Sequence, residues 1–237
     1  MPALDYPAEL AYLCGDFEAM EHLIETVMAS ANSLLEKVNV YRISIQAKTA
    51  ENKLIEAIAI GTQLLQQLGV AMTESPTPAD VQQLIQEISE LIGDRNVEDF
   101  VHLPVMTDAN KLAIIQAASS IMAAAYICGS PLFPLLTALL VKLSLRYGNT
   151  GISGYNYACY SMVVCNLLQD VNLATQFSQL ALNVVLKLDA KVTKPEVLII
   201  LGAFIRHRKS HIKETLPLLS QSYAIALEVG HLQSVGH

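Results

Sequence analysis

A chain of 237 residues, 52% hydrophobic and only 16% charged, has material for a large core, and this balance excludes a disordered protein. The formal charge of −7 and pI near 5.3 argue against nucleic acid as a partner, since the one basic cluster, Arg206, His207, Arg208 and Lys209, is short. The four cysteines, Cys14, Cys128, Cys159 and Cys165, show no CxxC spacing and fall in apolar stretches, so they are expected to be buried, reduced thiols in a cytoplasmic protein without a signal peptide.

The predicted elements are helices throughout. Helices over 3–13 and 17–31 flank a turn at Gly15 and Asp16, and Met20, Leu23, Ile24, Val27 and Met28 line one face of the second. Ser33 is placed to cap a helix over 34–49, and a helix over 52–68 ends at Gly69. Residues 73–78 read as a connection. Thr77, Pro78 and Asp80 then start a helix over 78–92 whose stripe is Val81, Leu84, Ile85, Ile88, Leu91 and Ile92. Residues 95–106 read as irregular, with one helical turn over 97–101. Thr107 or Asp108 caps a helix to Cys128, and further helices are predicted over 132–147, 153–168, 173–188, 195–208 and 215–229. No stretch alternates with period two between hairpin turns, so essentially no sheet is expected.

The segment 97–154 organises this pattern. Between Ala113 and Val141 no side chain is charged, so other helices must cover most sides of the two helices it contains. A membrane role fits poorly: the run 112–128 holds Gln116, Ser119 and Ser120, the next holds Pro134 and Lys142, and neither has basic flanks.

Turn-plus-small-residue patterns recur at Cys14 to Phe17 with Met20, at Asn52 to Leu54 with Ala57, at Cys128 to Pro131, and at Leu168 to Val171 with Ala174 and Ala181. The first two turns and the last two are each roughly 37 to 40 residues apart, near the tetratricopeptide period of about 34. The fold expected is all-α: a tetratricopeptide-like α-α superhelix, a right-handed solenoid of helix pairs. It would comprise N-terminal hairpins over 1–72, a linker with one amphipathic helix over 73–106, and C-terminal hairpins over 107–237 in one continuous solenoid. The chain opens in mid-pattern, and residues 230–237 read as another helix starting, so it is expected to be a fragment of a longer protein.

Few residues suggest chemistry. Ser210 to Pro217 faintly echoes a phospho-accepting histidine box, but Ile212 follows the histidine where an acid is needed; a turn is the plainer reading. His207 and His211 are four apart, half of a metal site at most. The glycines of 148–154 precede a helix and could cradle a phosphate, yet neither the Rossmann nor the Walker pattern is met. The charged connector Asp94, Arg95, Glu98 and Asp99, together with Arg206 and Arg208, is the candidate interaction surface. No catalytic, cofactor-binding or metal-ligating residue is assigned, and no cofactor is expected.

The connector Leu91 to Asp99, Leu103 to Asp108 with Lys111 to Ala113, Pro131 to Leu135, Leu143 to Asn149, and the run His211 to Leu219 resemble the helical repeat region of the large cyanobacterial-type hybrid signalling kinases. The resemblance covers nearly the whole chain and departs at Gly151 and Ile152, where a proline-containing polar turn is usual. It implies a serine/threonine kinase and an AAA-type ATPase before this region, and a GAF domain and sensor histidine kinase after it. Their catalytic residues lie outside the chain. Two readings follow. One is a non-catalytic module that binds a partner protein or other domains of the parent kinase, with self-association into a homodimer left open. The alternative is an all-α small-molecule sensor or enzyme with an inter-helix pocket.

Overall fold

A computed structural model describes residues 5–71, 76–231 and 234. Within them the chain is all-helical: α1 (Asp5–Leu13), α2 (Phe17–Ser30), α3 (Leu34–Ala50), α4 (Leu54–Gln67), α5 (Pro78–Ile92), α6 (Ala109–Ser120), α7 (Met122–Ile127), α8 (Leu132–Tyr147), α9 (Ser153–Val163), α10 (Val171–Lys187), α11 (Lys194–Ile200) and α12 (Leu216–Val229). A 3₁₀ helix at Val97–His102 replaces the single turn expected in the connector. Among the described residues no helix is long and apolar enough to cross a membrane. Residues 3 and 4 of the first predicted helix, 73–75 of the predicted connection, and all of the tail 232–237 except Ser234 lie outside the described residues.

Local chemistry explains the helix starts. Asp16 Oδ1 accepts from Ala19 N (3.0 Å), Ser33 Oγ from Glu36 N (3.3 Å), and Asp170 Oδ1 from Leu173 N (2.9 Å). Of the two candidate caps for α6, Asp108 is the one used: its Oδ1 accepts from Asn110 N (2.9 Å) and Lys111 N (3.0 Å).

Three expectations need correction. The helix predicted to reach Cys128 is interrupted at Ile121, just where Ser120 Oγ donates to Ala117 O (2.7 Å) and competes for a helical carbonyl. The helices predicted over 153–168 and 195–208 do not stay α-helical: each passes into a π turn, at Val164–Leu168 and Leu201–Ile205. Cysteine burial holds for Cys159 and Cys165 only. Cys14 and Cys128 are exposed, because each follows the last turn of its helix beside a left-handed glycine, Gly15 or Gly129; all four are free thiols.

The chain divides into two compact units, residues 1–77 with 107–136 and residues 78–106 with 137–237. These boundaries differ from the segments 1–72, 73–106 and 107–237 read from the sequence. In the first unit α1 packs on α2, α3 on α4, and α6 on both α3 and α4. Ala8, Met20, Ile43 and Ala47 form one buried cluster. Gly61 of α4 lies so close to Ile121 that a Cβ would overlap its side chain.

In the second unit α9 and α10 form the most extensive pair. Gly154 brings them together: a Cβ there would sit 2.9 Å from Ala181 O and 2.5 Å from Val185 Cγ2. Phe177 stacks edge-on to Tyr160 at 4.8 Å and lies 6.2 Å from Tyr157, with all three rings buried. In α5, Val81 and Ile88 are buried, and Glu87 pairs with Lys142 of α8. The hydrogen bond from Lys142 holds the Glu87 carboxyl below its ordinary range.

The turn between α8 and α9 is tied to the connector by Asn149. Its backbone N donates to Pro104 O (2.8 Å), and its O accepts from Met106 N (2.9 Å), an isolated parallel bridge. Its side chain, 1% exposed, donates from Nδ2 to Phe100 O (2.8 Å) and accepts from Tyr157 Oη (2.9 Å). Gly148 has φ +107°, and any Cβ there would collide with Pro104 O, so the close approach requires glycine. Replacing Asn149 by Ala strands the Phe100 carbonyl in a buried place and takes from the Tyr157 hydroxyl one of its partners, leaving it Ser144. We expect Asn149→Ala to cost about 2–4 kcal/mol of stability and Tyr157→Phe about 1–2 kcal/mol. The double variant should lose less than the sum, because the two side chains share one bond. Urea denaturation of the three variants measures all three values.

Candidate functional site

An open cleft of about 610 Å³ lies in the second unit. One wall is α10, through Thr175, Ser178, Gln179 and Leu182; the other comprises Leu201, Ile205, Arg206, Lys209 and Ser210, closed by Glu214, Pro217 and Leu218. Its size falls within the range of small-molecule sites. Leu201, Ile205 and Ser178 are buried, whereas Arg206, Lys209 and Glu214 are exposed.

The π turn Leu201–Ile205 shapes this cleft. A π turn places five residues where an α-helix needs fewer, and such bulges concentrate at functional sites. Gly202 lies in it, directly under α12: a Cβ would be 3.0 Å from Leu219 Cδ2. Beyond Ile205 the chain tightens into a 3₁₀ turn, Arg206–Arg208, and a second at Ile212–Thr215 leads into α12. Ser222 Oγ donates to Pro195 O (2.7 Å), anchoring the middle of α12 against the start of α11.

A second group of chemically able side chains surrounds Glu196. Tyr155 and Cys159 project one turn apart from α9, and Glu196 lies in the first turn of α11. His231 Nε2 stands 3.8 Å from Glu196 Oε1, while His231 Nδ1 accepts from Ser234 N (3.3 Å). Burial pushes the Glu196 carboxyl up to about 7. It also pushes the Cys159 thiol and the Tyr155 hydroxyl well up, so both are held neutral at physiological pH. A thiol kept protonated in this way is a weaker nucleophile than a thiolate.

The residues singled out from the sequence are dispersed. Arg95 turns back on its own helix, donating from Nε to Ile92 O (3.3 Å) and from Nη2 to Leu91 O, with its guanidinium 4.6 Å above the Phe100 ring. Asp94 and Asp99 are exposed and Glu98 is half-buried. This connector packs on α10 near its C-terminal end, where Lys187 Nζ donates to Val101 O (2.9 Å). Arg206 is on the cleft and pairs with Glu214 (3.1 Å), while Arg208 donates to Asn166 Oδ1 (3.3 Å) on the α9 π turn. Only Arg206 of the six therefore lines the cleft.

The other motifs resolve locally. In 148–154 two of the N–H groups are taken by side chains of the turn: Thr150 N donates to Ser153 Oγ (2.9 Å) and Ile152 N to Thr150 Oγ1 (3.2 Å). His211 Nδ1 accepts from Lys213 N (3.2 Å) and starts a 3₁₀ turn. Among the described residues no group of three or more His, Cys, Asp and Glu side chains is placed to hold a metal ion. Sequence reasoning missed Ser178, Leu201, Ile205 and Lys209 as cleft residues, and Glu196 as a half-buried acid. The acid follows Pro195 in a helix first turn, where an exposed carboxylate is the ordinary expectation.

No family model, curated protein or solved structure matches the chain.

The Glu196 carboxyl gives a pH dependence with a definite sign. Its value in the folded state is raised from 4.5 to about 7, so its contribution to stability is complete below about 4.5 and is lost as the pH rises through 7. Tyr155 and Cys159 stay neutral over that range. With the Glu196 side chain 31% exposed, the effect is discounted to on the order of 1–2 kcal/mol. Glu196→Gln is expected to flatten the fall in stability between pH 5 and pH 8 and to be more stable than the parent at pH 8, as read by urea titrations at both pH values.

Proposed function

We propose that the chain is a non-catalytic helical-repeat module whose helix pairs stack as a tetratricopeptide-like superhelix and which binds a partner protein through α12. The observation that carries this reading is the inverted character of that helix. Its buried face has Ser222 and Ala226, whereas Leu216, Tyr223 and Leu227, spaced seven and four apart on one stripe, are 60%, 52% and 53% exposed. Ile212, just before the helix, is also exposed. Large side chains outside and small ones inside are what a helix shows when its apolar stripe serves another surface.

The sequence resemblance supplies the partners for a test: the AAA-type ATPase and the GAF–histidine-kinase segments of a hybrid signalling kinase, for which this module would act as a coupler. Tyr223 and Leu227 are more than half exposed, so changing both to Asp should leave the melting temperature within a few degrees of the parent. The double change should weaken retention of a bound neighbouring segment, or self-association in sedimentation, by at least about tenfold. Equal retention by the parent and the Tyr223→Asp/Leu227→Asp variant would refute α12 as the interface.

A further inference from the structure

We infer that the cleft between α10 and the Leu201–Ile205 turn is a binding site for a small amphipathic anion, an alkyl chain with a carboxylate or phosphate head. This goes beyond the α12 interface and does not depend on it, since the exposed stripe of Leu216, Tyr223 and Leu227 is not part of the cleft lining.

The axial order of the lining residues carries the inference. α10 and α11 are joined by a short connection, so their chain directions reverse and Leu182 lies toward Leu201, with Thr175 toward Arg206 and Lys209. α12 reverses again. Ser222 meets Pro195 and Leu219 meets Gly202, which brings Leu218 toward Ile205 and Glu214 toward the 206–210 turn. All three strips of lining therefore run the same way, from Leu182 and Leu201 through Ile205 and Leu218 to Arg206, Lys209 and Ser210.

The charge at the polar end favours an anion. Glu214 is the one carboxylate in the lining, and it is engaged by Arg206 at 3.1 Å. Lys209 has no carboxylate partner among the described residues. The hydroxyl of Ser178 donates to Thr175 O (2.8 Å) and is turned into its own helix, so it does not compete for the head group. An apolar ligand would make no use of the Lys209 ammonium, and a purely ionic one would make no use of the apolar wall of Leu182, Leu201, Ile205 and Leu218. A molecule with both parts satisfies both ends.

The test is an NMR titration of the full chain with four probes: octanoate, octyl phosphate, octanol and acetate. Octanoate or octyl phosphate is expected to shift the methyl signals of Leu201, Ile205 and Leu218 saturably, and the stronger of the two identifies the head group. Octanol should bind at least about tenfold more weakly, and acetate should shift none of these methyls. Lys209→Glu, at an exposed position, should weaken both amphiphilic anions by about tenfold or more and leave octanol binding and the melting temperature unchanged. Lys209→Gln should give an intermediate loss. The proposal is overturned if octanol binds as well as octanoate, if Lys209→Glu leaves anion affinity unchanged, if the shifts fall outside the cleft, or if neither anion saturates the site at millimolar concentration.

Discussion

The second unit depends on one buried amide. Asn149 uses four polar atoms at once, two of the backbone and two of the side chain, to join the connector at Phe100, Pro104 and Met106 to the turn that starts α9. A buried asparagine with unmet hydrogen bonds would cost several kcal/mol, so it is tolerated only in a conformation where every partner arrives together. That requirement makes it specific. The Gly148 backbone must approach Pro104 O within a distance no side chain permits, and Ser144, Ser153 and Thr150 must close the turn around it. The Tyr157 hydroxyl, its ring packed near Phe177, then ties this polar node to the α9–α10 core.

From that anchor the cleft follows by packing. α10 is buried on one side through Ala174, Phe177, Leu180, Ala181 and Val184, against α9 and the connector. Thr175, Ser178 and Leu182 are thereby turned toward the Leu201–Ile205 strip. A regular α-helix through 201–208 would carry on straight past α10. The π turn and the 3₁₀ turn after it bend the chain, bring α12 down on Gly202, and leave the space between them open. The unit thus combines a rigid polar anchor with an irregular wall.

The ionisable groups divide accordingly. Those withdrawn from water, Tyr155, Tyr157, Cys159 and Glu196, are pushed toward their neutral forms by burial, which suits packing and suits a pH-dependent stability. The cations that can meet a ligand, Arg206 and Lys209, stand at the cleft mouth. The groups with shifted protonation and the cations at the cleft are thus different residues.

Much of the architecture was legible in the residues. Apolar patterning and turn residues located the described helices apart from the division between α6 and α7, and cap residues placed several starts within one or two positions: Pro78 opened α5, Gly69 followed α4, and Asp108 capped α6. Composition and chain pattern determined an all-helical protein, because apolar spacing along a helix is a local property. Only the tertiary structure decided the rest. Ile121 interrupts a helix that reads as continuous, and two helices end in π turns that no residue type announces. Arg95 and Arg208 spend their donors on neighbouring chain rather than on the cleft. Glu196 looks like an exposed first-turn acid until α9, α12 and His231 close around it. The cleft itself draws on residues from 175 to 218, and its sides meet only through the reversal of α10, α11 and α12. Sequence pattern shows which face of each helix is apolar, but which faces meet, and which stay open to a ligand, depends on long-range packing that no single segment encodes.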